Sequence, residues 1–176
     1  MEDEGGSSQP RLRDDETPTP RASRFTESYV SEENGWSVEW DAADWSMGEE
    51  PGRGDDYEPR LNSELSSLDS TVYDDYDGDA LACMDDQISR IETGTFDEVE
   101  EIEELSGDEE LASAVYYVAF DNSDGDLVEI QTYVECRTLV RGETVLNVFL
   151  ITPPEDYDDE IEIVKDVLDA IEMPEA

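Results

Sequence analysis

The stretch "DNSDGD" at residues 121–126 groups oxygen-bearing side chains around a glycine, as calcium-binding loops do. A loop of the EF-hand type needs oxygen ligands at its positions 1, 3 and 5 and a glycine at position 6. Placing Gly125 at position 6 puts Phe120 at position 1, so the spacing fails. Because the stretch lies between two β-forming runs, we expect a turn, and no more than weak, non-specific binding of cations by the acidic surface.

Several catalytic chemistries are excluded by the residues that the chain lacks. There is no histidine, so Ser-His-Asp and Cys-His catalysis and His-ligated zinc are ruled out. Two cysteines are too few for a four-Cys metal site, and no glycine-rich phosphate loop follows any predicted strand. With 51 Asp and Glu residues present, no particular carboxylate pair stands out as a hydrolase site. We therefore predict no catalytic residues, no metal site and no cofactor.

The two cysteines, Cys83 and Cys136, are candidates for a disulfide. Cys136 falls on the apolar side of a predicted strand, and Cys83 lies beside the apolar stripe of a predicted helix. If that helix packs on the sheet, a bridge between the two would close a loop worth roughly 4 kcal/mol. The alternative is a pair of buried free thiols, as in a reducing cytoplasm. We favour the disulfide.

Three tryptophans, Trp36, Trp40 and Trp45, lie close together near the start of the domain. The segment "YVSEENGWSVEW" predicts a hairpin that turns at Asn34-Gly35, with Trp36 and Trp40 on one face. Tryptophans at strand spacing beside turn signals are more often core residues than a ligand platform. They are nevertheless the first candidates for a binding surface, together with the loop from Pro51 to Arg60.

The pattern of the remaining chain predicts an α+β fold. A helix begins after the N-cap Asp79, and a short strand covers "LDSTVY" before it. The stretch "FDEVEEIEELSGDEE" repeats its apolar residues every three positions and fits neither a helix nor a strand. Three β-rich runs then form an antiparallel meander, followed by a helix with a capping box at Thr152–Glu155. We predict an antiparallel β-sheet whose apolar face is covered by helices; the buried stripe of the last helix is Ile161, Val164, Val167, Leu168 and Ile171.

Charge is the most extreme property of the chain. The formal net charge is −41, with 10 basic residues, and Lys165 is the only lysine. Such a surface repels itself in dilute buffer. At about 1 M salt the Debye length falls to about 3 Å and most of this repulsion is screened. We therefore favour a salt-adapted protein over a cytoplasmic acidic mimic of nucleic acid, and the sign of the charge excludes nucleic acid as a ligand.

The domain organisation follows from composition. Residues 1–24 are rich in Gly, Ser, Thr and Pro and predict a flexible acidic tail or linker of the kind that tethers surface domains, as in lipoproteins. Residues 25–176 form a single α+β domain. No apolar run is long enough to span a membrane, and no signal peptide is visible.

Two stretches carry a resemblance to a known class. "YVSEENGWSVEWDAADWSM" resembles the opening of secreted prokaryotic domains, and "YVECRTLVRGETVLNVFLITPPEDYDDEIEIVKDVLDAIEMP" is similar to the closing strands and helix of PsbP-like domains. The resemblance implies an α/β/α sandwich around an antiparallel sheet, a location outside the cytoplasm, and docking to other proteins. It transfers no catalytic residue, and the class's photosynthetic metal role depends on residues, histidine above all, that this chain lacks.

These observations predict a non-enzymatic, salt-adapted domain that binds an unknown protein or small ligand. We expect it to be secreted or tethered at the cell surface, with a cytoplasmic location as the second choice. The alternatives are the cytoplasmic nucleic-acid mimic and a carboxylate-dependent hydrolase.

Overall fold

A computed structural model describes residues 25–48, 60–140 and 142–173. The predicted tail at residues 1–24 and nearly all of the loop from Pro51 to Arg60 lie outside these ranges; Arg60 itself is in a strand. Within them, the strands are β1 (Glu27–Val30), β2 (Ser37–Trp40), β3 (Ser46–Gly48), β4 (Arg60–Asn62), β5 (Ser67–Tyr73), β6 (Glu98–Gly107), β7 (Leu111–Asp121), β8 (Leu127–Val140) and β9 (Thr144–Thr152). The helices are α1 (Ala80–Glu92) and α2 (Tyr157–Asp169), the latter preceded by a 3₁₀ turn at Pro154–Asp156.

Seven strands form one antiparallel sheet in the order β3-β4-β5-β9-β8-β7-β6, and β1 pairs with β2 in a separate hairpin. Both faces of the sheet are covered, α1 lying on one and α2 with the β1–β2 hairpin on the other. This is the predicted α/β/α sandwich. The expectation that the sheet has only one apolar face is wrong, because β8 and β9 lie at its centre and need cover on both sides.

The helices differ in how they begin. Asp79 caps α1 as predicted, since its Oδ1 accepts a hydrogen bond from the amide of Ala82 at 3.0 Å.

The predicted capping box before α2 is wrong. Thr152 is the last residue of β9, and its hydroxyl accepts a bond from Ser66 Oγ at 2.7 Å. The 3₁₀ turn, with Pro154 as its first residue, starts the helix instead, so proline rather than a side-chain cap sets the entry. The stripe predicted for α2 is buried.

The ambiguous stretch after α1 is the edge strand β6. Its pairing with β7 shifts register between Glu101 and Glu103 and again between Glu103 and Ser106. Such bulges interrupt the two-residue alternation of a strand, which explains the apolar spacing of three. Val99 and Leu105 pack towards α1, whereas Ile102 lies at a bulge and is 45% exposed.

The predicted turns are present. The chain reverses between β7 and β8 at residues 122–126, where Asn122 Oδ1 accepts bonds from the amides of Asp124 and Asp126, both at 2.9 Å, and Gly125 has φ +83°. The β1–β2 connection is longer than a two-residue turn. It runs from Ser31 to Trp36 and closes with the amide of Gly35 bonded to Ser31 O at 2.9 Å. Only Gly35, with φ +72°, adopts the left-handed conformation there.

Candidate functional site

An open groove of about 500 Å³ lies where β7 begins, β8 ends and the chain leaves α2. Its walls come from three stretches that are distant in sequence: Glu109, Glu110, Leu111, Arg137, Thr138, Leu139 and Met173. We call the apolar members of this lining, Leu111, Leu139 and Met173, the floor, and the two glutamates the rim. Volumes of this order are typical of sites for small ligands or for one or two side chains of a partner.

Strand pairing positions the floor of the groove. In the β7–β8 register, Leu111 lies opposite Arg137, so the start of β7 faces the end of β8. The chain after α2 is brought alongside by an isolated bridge between Ser37 and Glu172, which exchange backbone hydrogen bonds of 3.0 and 2.8 Å. Met173 follows directly, and this places its side chain at the groove.

The acidic rim is held by hydrogen bonds of the turn before β7. Asp108 Oδ1 accepts bonds from the amides of Glu110 at 2.9 Å and Leu111 at 3.1 Å. These two backbone donors lower the pKa of the Asp108 carboxyl, because they stabilise its charged form. The Thr138 hydroxyl donates to Glu109 O at 2.6 Å and accepts from the amide of Ala80 at 2.9 Å. The rim is therefore anchored to both β8 and the start of α1.

Arg137 is the basic residue of the groove lining, and its charge is neutralised by the buried carboxylate of Glu135. Its Nε donates to Glu135 Oε1 at 2.5 Å, and its Nη2 donates to Leu168 O, near the end of α2, at 2.8 Å. Tyr133 donates to the other oxygen of Glu135 at 2.6 Å. Burial, followed by the neighbouring Glu135 charge, raises the pKa of Tyr133 well above its usual range. Glu135 and Arg137 are 2% and 9% exposed, so this largely buried ion pair joins the sheet to α2.

The arrangement suits binding through apolar contact. The Thr138 hydroxyl and the Arg137 guanidinium already have partners within the protein. The floor presents Leu111, 39% exposed, and Met173, 38% exposed. An apolar group placed there would bury surface that both side chains now expose to water.

The structure corrects the assignment of Trp36, Trp40 and Trp45 as binding residues. They are 1%, 3% and 2% exposed and form one cluster with α2, strands β5 and β9, and Val38. Alternation along β2 directs Trp40 and Val38 towards α2 rather than to solvent, and this is the core interpretation that strand spacing favoured. A surface made of these rings would require the hairpin to leave the helix.

Cys83 and Cys136 are joined as a disulfide, with their Cα atoms 6.1 Å apart. The bridge ties α1 to the central strand β8, and both residues are fully buried. Asn147, on the neighbouring strand β9, donates from Nδ2 to Glu135 O at 3.0 Å and to Cys136 Sγ at 3.4 Å. Of the two alternatives left open by the sequence, the structure has the bridged form.

Sequence reasoning did not find the groove. Leu111 interrupts the acidic run "SGDEELAS", which is a weak sign of an exposed apolar contact. Nothing in the sequence shows that residue 111 meets residues 137–139 and 173, since that proximity depends on strand register.

Neither a metal site nor a membrane helix is found in the part of the chain that the structure describes. Over residues 25–48, 60–140 and 142–173, no three His, Cys, Asp or Glu side chains are grouped so that they could hold an ion. Among the same residues, no helix is long and apolar enough to cross a lipid bilayer.

Comparison with solved structures supports the PsbP-like fold. The chain is similar to the solution structure of cyanobacterial PsbP (CyanoP) from Synechocystis sp. PCC 6803, with a TM-score of 0.59 and 15% identity over 88% of this chain and 96% of that one. It is also similar to a crystal structure from Bacteroides thetaiotaomicron VPI-5482, with a TM-score of 0.52 and 10% identity over 84% of this chain and 48% of that one. No protein-family model and no curated protein matches the chain. At these identities the likeness concerns the fold, and it confirms the predicted PsbP-like α+β architecture.

Proposed function

We propose that this protein is a non-catalytic, salt-adapted binding domain that is secreted or tethered at the cell surface. The observation that carries the proposal is the contrast between an ordinary apolar core on both faces of the sheet and a net charge of −41. The core explains how the chain folds, and the carboxylates are left to interact with the solvent.

The edge strand β6 illustrates how the acids are used. Its glutamates at positions 98, 100, 101, 103 and 104 are all exposed and are distributed along the strand rather than gathered around a cleft. Charges on an edge strand discourage pairing with other chains. Carboxylates spread in this way support a role in solvation and solubility, not in acid–base catalysis.

Two further features support a binding role outside the cytoplasm. The Cys83–Cys136 bridge is of a kind that persists in oxidising compartments. The resemblance to PsbP-like domains implies docking to other proteins, and the groove beside Arg137 offers a place for it.

The salt dependence of folding tests the proposal. Thermal unfolding followed by circular dichroism should shift to higher temperature as KCl rises from about 0.01 M to about 1 M, because the Debye length shortens from about 30 Å to about 3 Å over that range. Sucrose at matched osmolality is the control, since it favours the compact state without screening charge. An equally high and cooperative transition in nearly ion-free water would contradict salt adaptation.

The thiol state of the native protein tests the location. Intact mass measured after alkylation in denaturant, which exposes both buried cysteines, should show two alkylatable thiols only in the sample treated with reductant. Two freely alkylated thiols in protein isolated without oxidation would argue against export.

A further inference from the structure

Three of the eight exposed large apolar side chains in the described residues lie at or beside the groove. Leu111 and Met173 line it, and Val140, which is 43% exposed, lies one residue beyond the lining residue Leu139 on β8. In a chain whose surface is dominated by carboxylates, apolar side chains grouped around one groove are a sign of a contact site.

The polar groups of the groove select the sign of a ligand's charge. The Arg137 guanidinium is already bonded to Glu135 and to Leu168 O. The amides of Glu110 and Leu111 donate to Asp108, and that of Thr138 donates to Glu110 O. An anionic ligand would therefore find these donors already engaged. A cation would meet the Glu110 carboxylate at the rim, with Asp108 two residues before it in the chain.

Salt decides which contact supplies the affinity. With a Debye length of about 3 Å at 1 M salt, charges on a partner attract the rim only when they touch it. Apolar contact is not screened in this way. A ligand that stays bound at high salt must therefore gain its affinity from apolar contact with the floor, and its charge adds specificity only through direct contact with the rim.

We infer that the groove binds a peptide segment of another protein that places an apolar side chain on Leu111 and Met173 and an adjacent Lys or Arg side chain on Glu110. This inference rests on the proposed function, because it names the site and the ligand class of the same binding domain. The charge complementarity between a basic segment and the acidic rim is the reason for choosing this occupant.

A nitrogen-15 NMR titration of the full chain in about 2 M KCl tests the inference, because at that ionic strength long-range attraction is screened. The probe is the blocked tetrapeptide Leu-Lys-Leu-Lys, compared with Ser-Lys-Ser-Lys and Leu-Glu-Leu-Glu. We expect saturable shifts centred on the amides of Leu111, Thr138 and Met173 with the first peptide. The serine and glutamate peptides should bind roughly tenfold more weakly, since each loses one of the two contacts.

Variants assign the contacts. Leu111→Ser and Met173→Ser should each weaken binding of Leu-Lys-Leu-Lys by roughly fivefold to tenfold. The matched control is Leu127→Ser, because Leu127 is 61% exposed at the far end of β8. Glu110→Gln should reduce the difference in affinity between the lysine peptide and the glutamate peptide. Asp126→Asn, at the exposed β7–β8 turn, should leave that difference unchanged.

Three results would overturn the inference. They are chemical-shift changes scattered over the acidic surface, equal affinity for the leucine and serine peptides, and a loss of peptide affinity in the Leu127→Ser control as large as in Leu111→Ser or Met173→Ser. Failure of the proposed function gives a different result, because the spectrum and the unfolding transition would then be insensitive to KCl before any peptide is added. A well-dispersed spectrum that appears only in salt, without groove shifts, rejects the ligand class alone.

Discussion

The two faces of the seven-stranded sheet are attached to their covering layers in different ways. On the α1 face the buried residues are largely small or slender, namely Ala80, Cys83, Met84, Ala112, Ala114, Val134, Cys136 and Val145, with Tyr116, Val118 and Ile91, and larger side chains such as Leu81, Ile88 and Phe96 pack against them only partly buried. On the α2 face it contains three tryptophans and the long aliphatic side chains of α2, β5 and β9. A covalent bond holds the first layer, and apolar area with one buried ion pair holds the second.

This difference shows where each layer gets its stability. The small buried side chains on the α1 face each bury less apolar area than the tryptophans on the α2 face, and the bridge to β8 adds to the stability of the α1 layer. The α2 layer buries large aromatic rings and can accommodate Glu135 and Arg137, whose removal from water is costly unless their hydrogen bonds are complete. Because Arg137 bonds to Leu168 O, the pair also defines where α2 ends on the sheet.

Among the changes that test this difference between the two faces, removal of the Cys83–Cys136 disulfide should cause the largest loss of stability. The double substitution Cys83→Ala, Cys136→Ala is expected to lower the free energy of unfolding by about 4 kcal/mol, because the denatured chain loses a loop closed across a sequence separation of 53. Urea unfolding at fixed high KCl measures the loss. Amide hydrogen exchange should accelerate over residues 80–92 more than over residues 157–169.

The matched control is the wild-type chain with reductant, in which the covalent bond is cut but the sulfur atoms stay. The free energies of unfolding of the double variant and of the reduced wild-type chain should differ only by the cost of the small cavity that the alanines leave. Uniform acceleration of exchange over both helices would contradict a local role for the bridge at α1.

Breaking the ion pair between Glu135 and Arg137 should destabilise the α2 layer. Arg137→Met is expected to cost about 3 kcal/mol, because it leaves the Glu135 carboxylate buried without its cation and Leu168 O without its donor. The loss should appear as faster amide exchange around residues 164–168, with α1 little changed.

The double variant Glu135→Leu, Arg137→Met is the control for this cost. Removing both charges avoids the unpaired carboxylate, so most of the lost stability should return. A double variant whose loss equals the sum of the two single losses would show that the two side chains are not coupled, and would contradict the unpaired carboxylate as the cause of the loss in Arg137→Met.

The sequence predicts the elements of this fold better than it predicts their arrangement. Asp79, the glycine turns and the stripe of α2 carry local signals, because capping, positive φ and helical periodicity depend on neighbouring residues. Glu135 and Arg137 carry no such signal. Their alternation with Val134 and Cys136 looks like a solvated face, and only the position of β8 at the centre of the sheet makes it a buried one.

The groove depends still more on tertiary structure. Leu111, Arg137 and Met173 meet only after β7 pairs with β8 and the end of the chain pairs with β2. The tryptophans show the opposite case, since their strand spacing correctly favoured the core, whereas their chemistry suggested a contact surface.

The smallest effect concerns two adjacent tyrosines of β7, which lie on opposite faces of the sheet. Tyr116 is buried on the α1 side and bonds to Glu101 at 2.9 Å, whereas Tyr117 is partly exposed on the other side and bonds to Glu129 at 2.6 Å. The hydrogen bond to Glu129 is the main reason that the pKa of Tyr117 is raised to about 12; for Tyr116 burial is the main cause of its raised pKa. Glu129→Gln should therefore return the pKa of Tyr117 towards its usual value of about 10 and leave that of Tyr116 raised.

Carbon-13 NMR of the tyrosine Cζ atoms from about pH 9 to about pH 12.5 follows both groups in one titration, in which Tyr117 ionises within the range and Tyr116 stays largely protonated. Because the folded pKa of Tyr117 lies above its unfolded value, its stabilising contribution is complete below about pH 10 and is lost as the pH rises towards 12. Glu129→Gln should remove that part of the pH dependence of unfolding, and Glu39→Gln in the β1–β2 hairpin is the control for a general loss of negative charge. An equal fall in the pKa of Tyr117 in both variants would mean that the net charge of the protein, rather than one hydrogen bond, holds this proton.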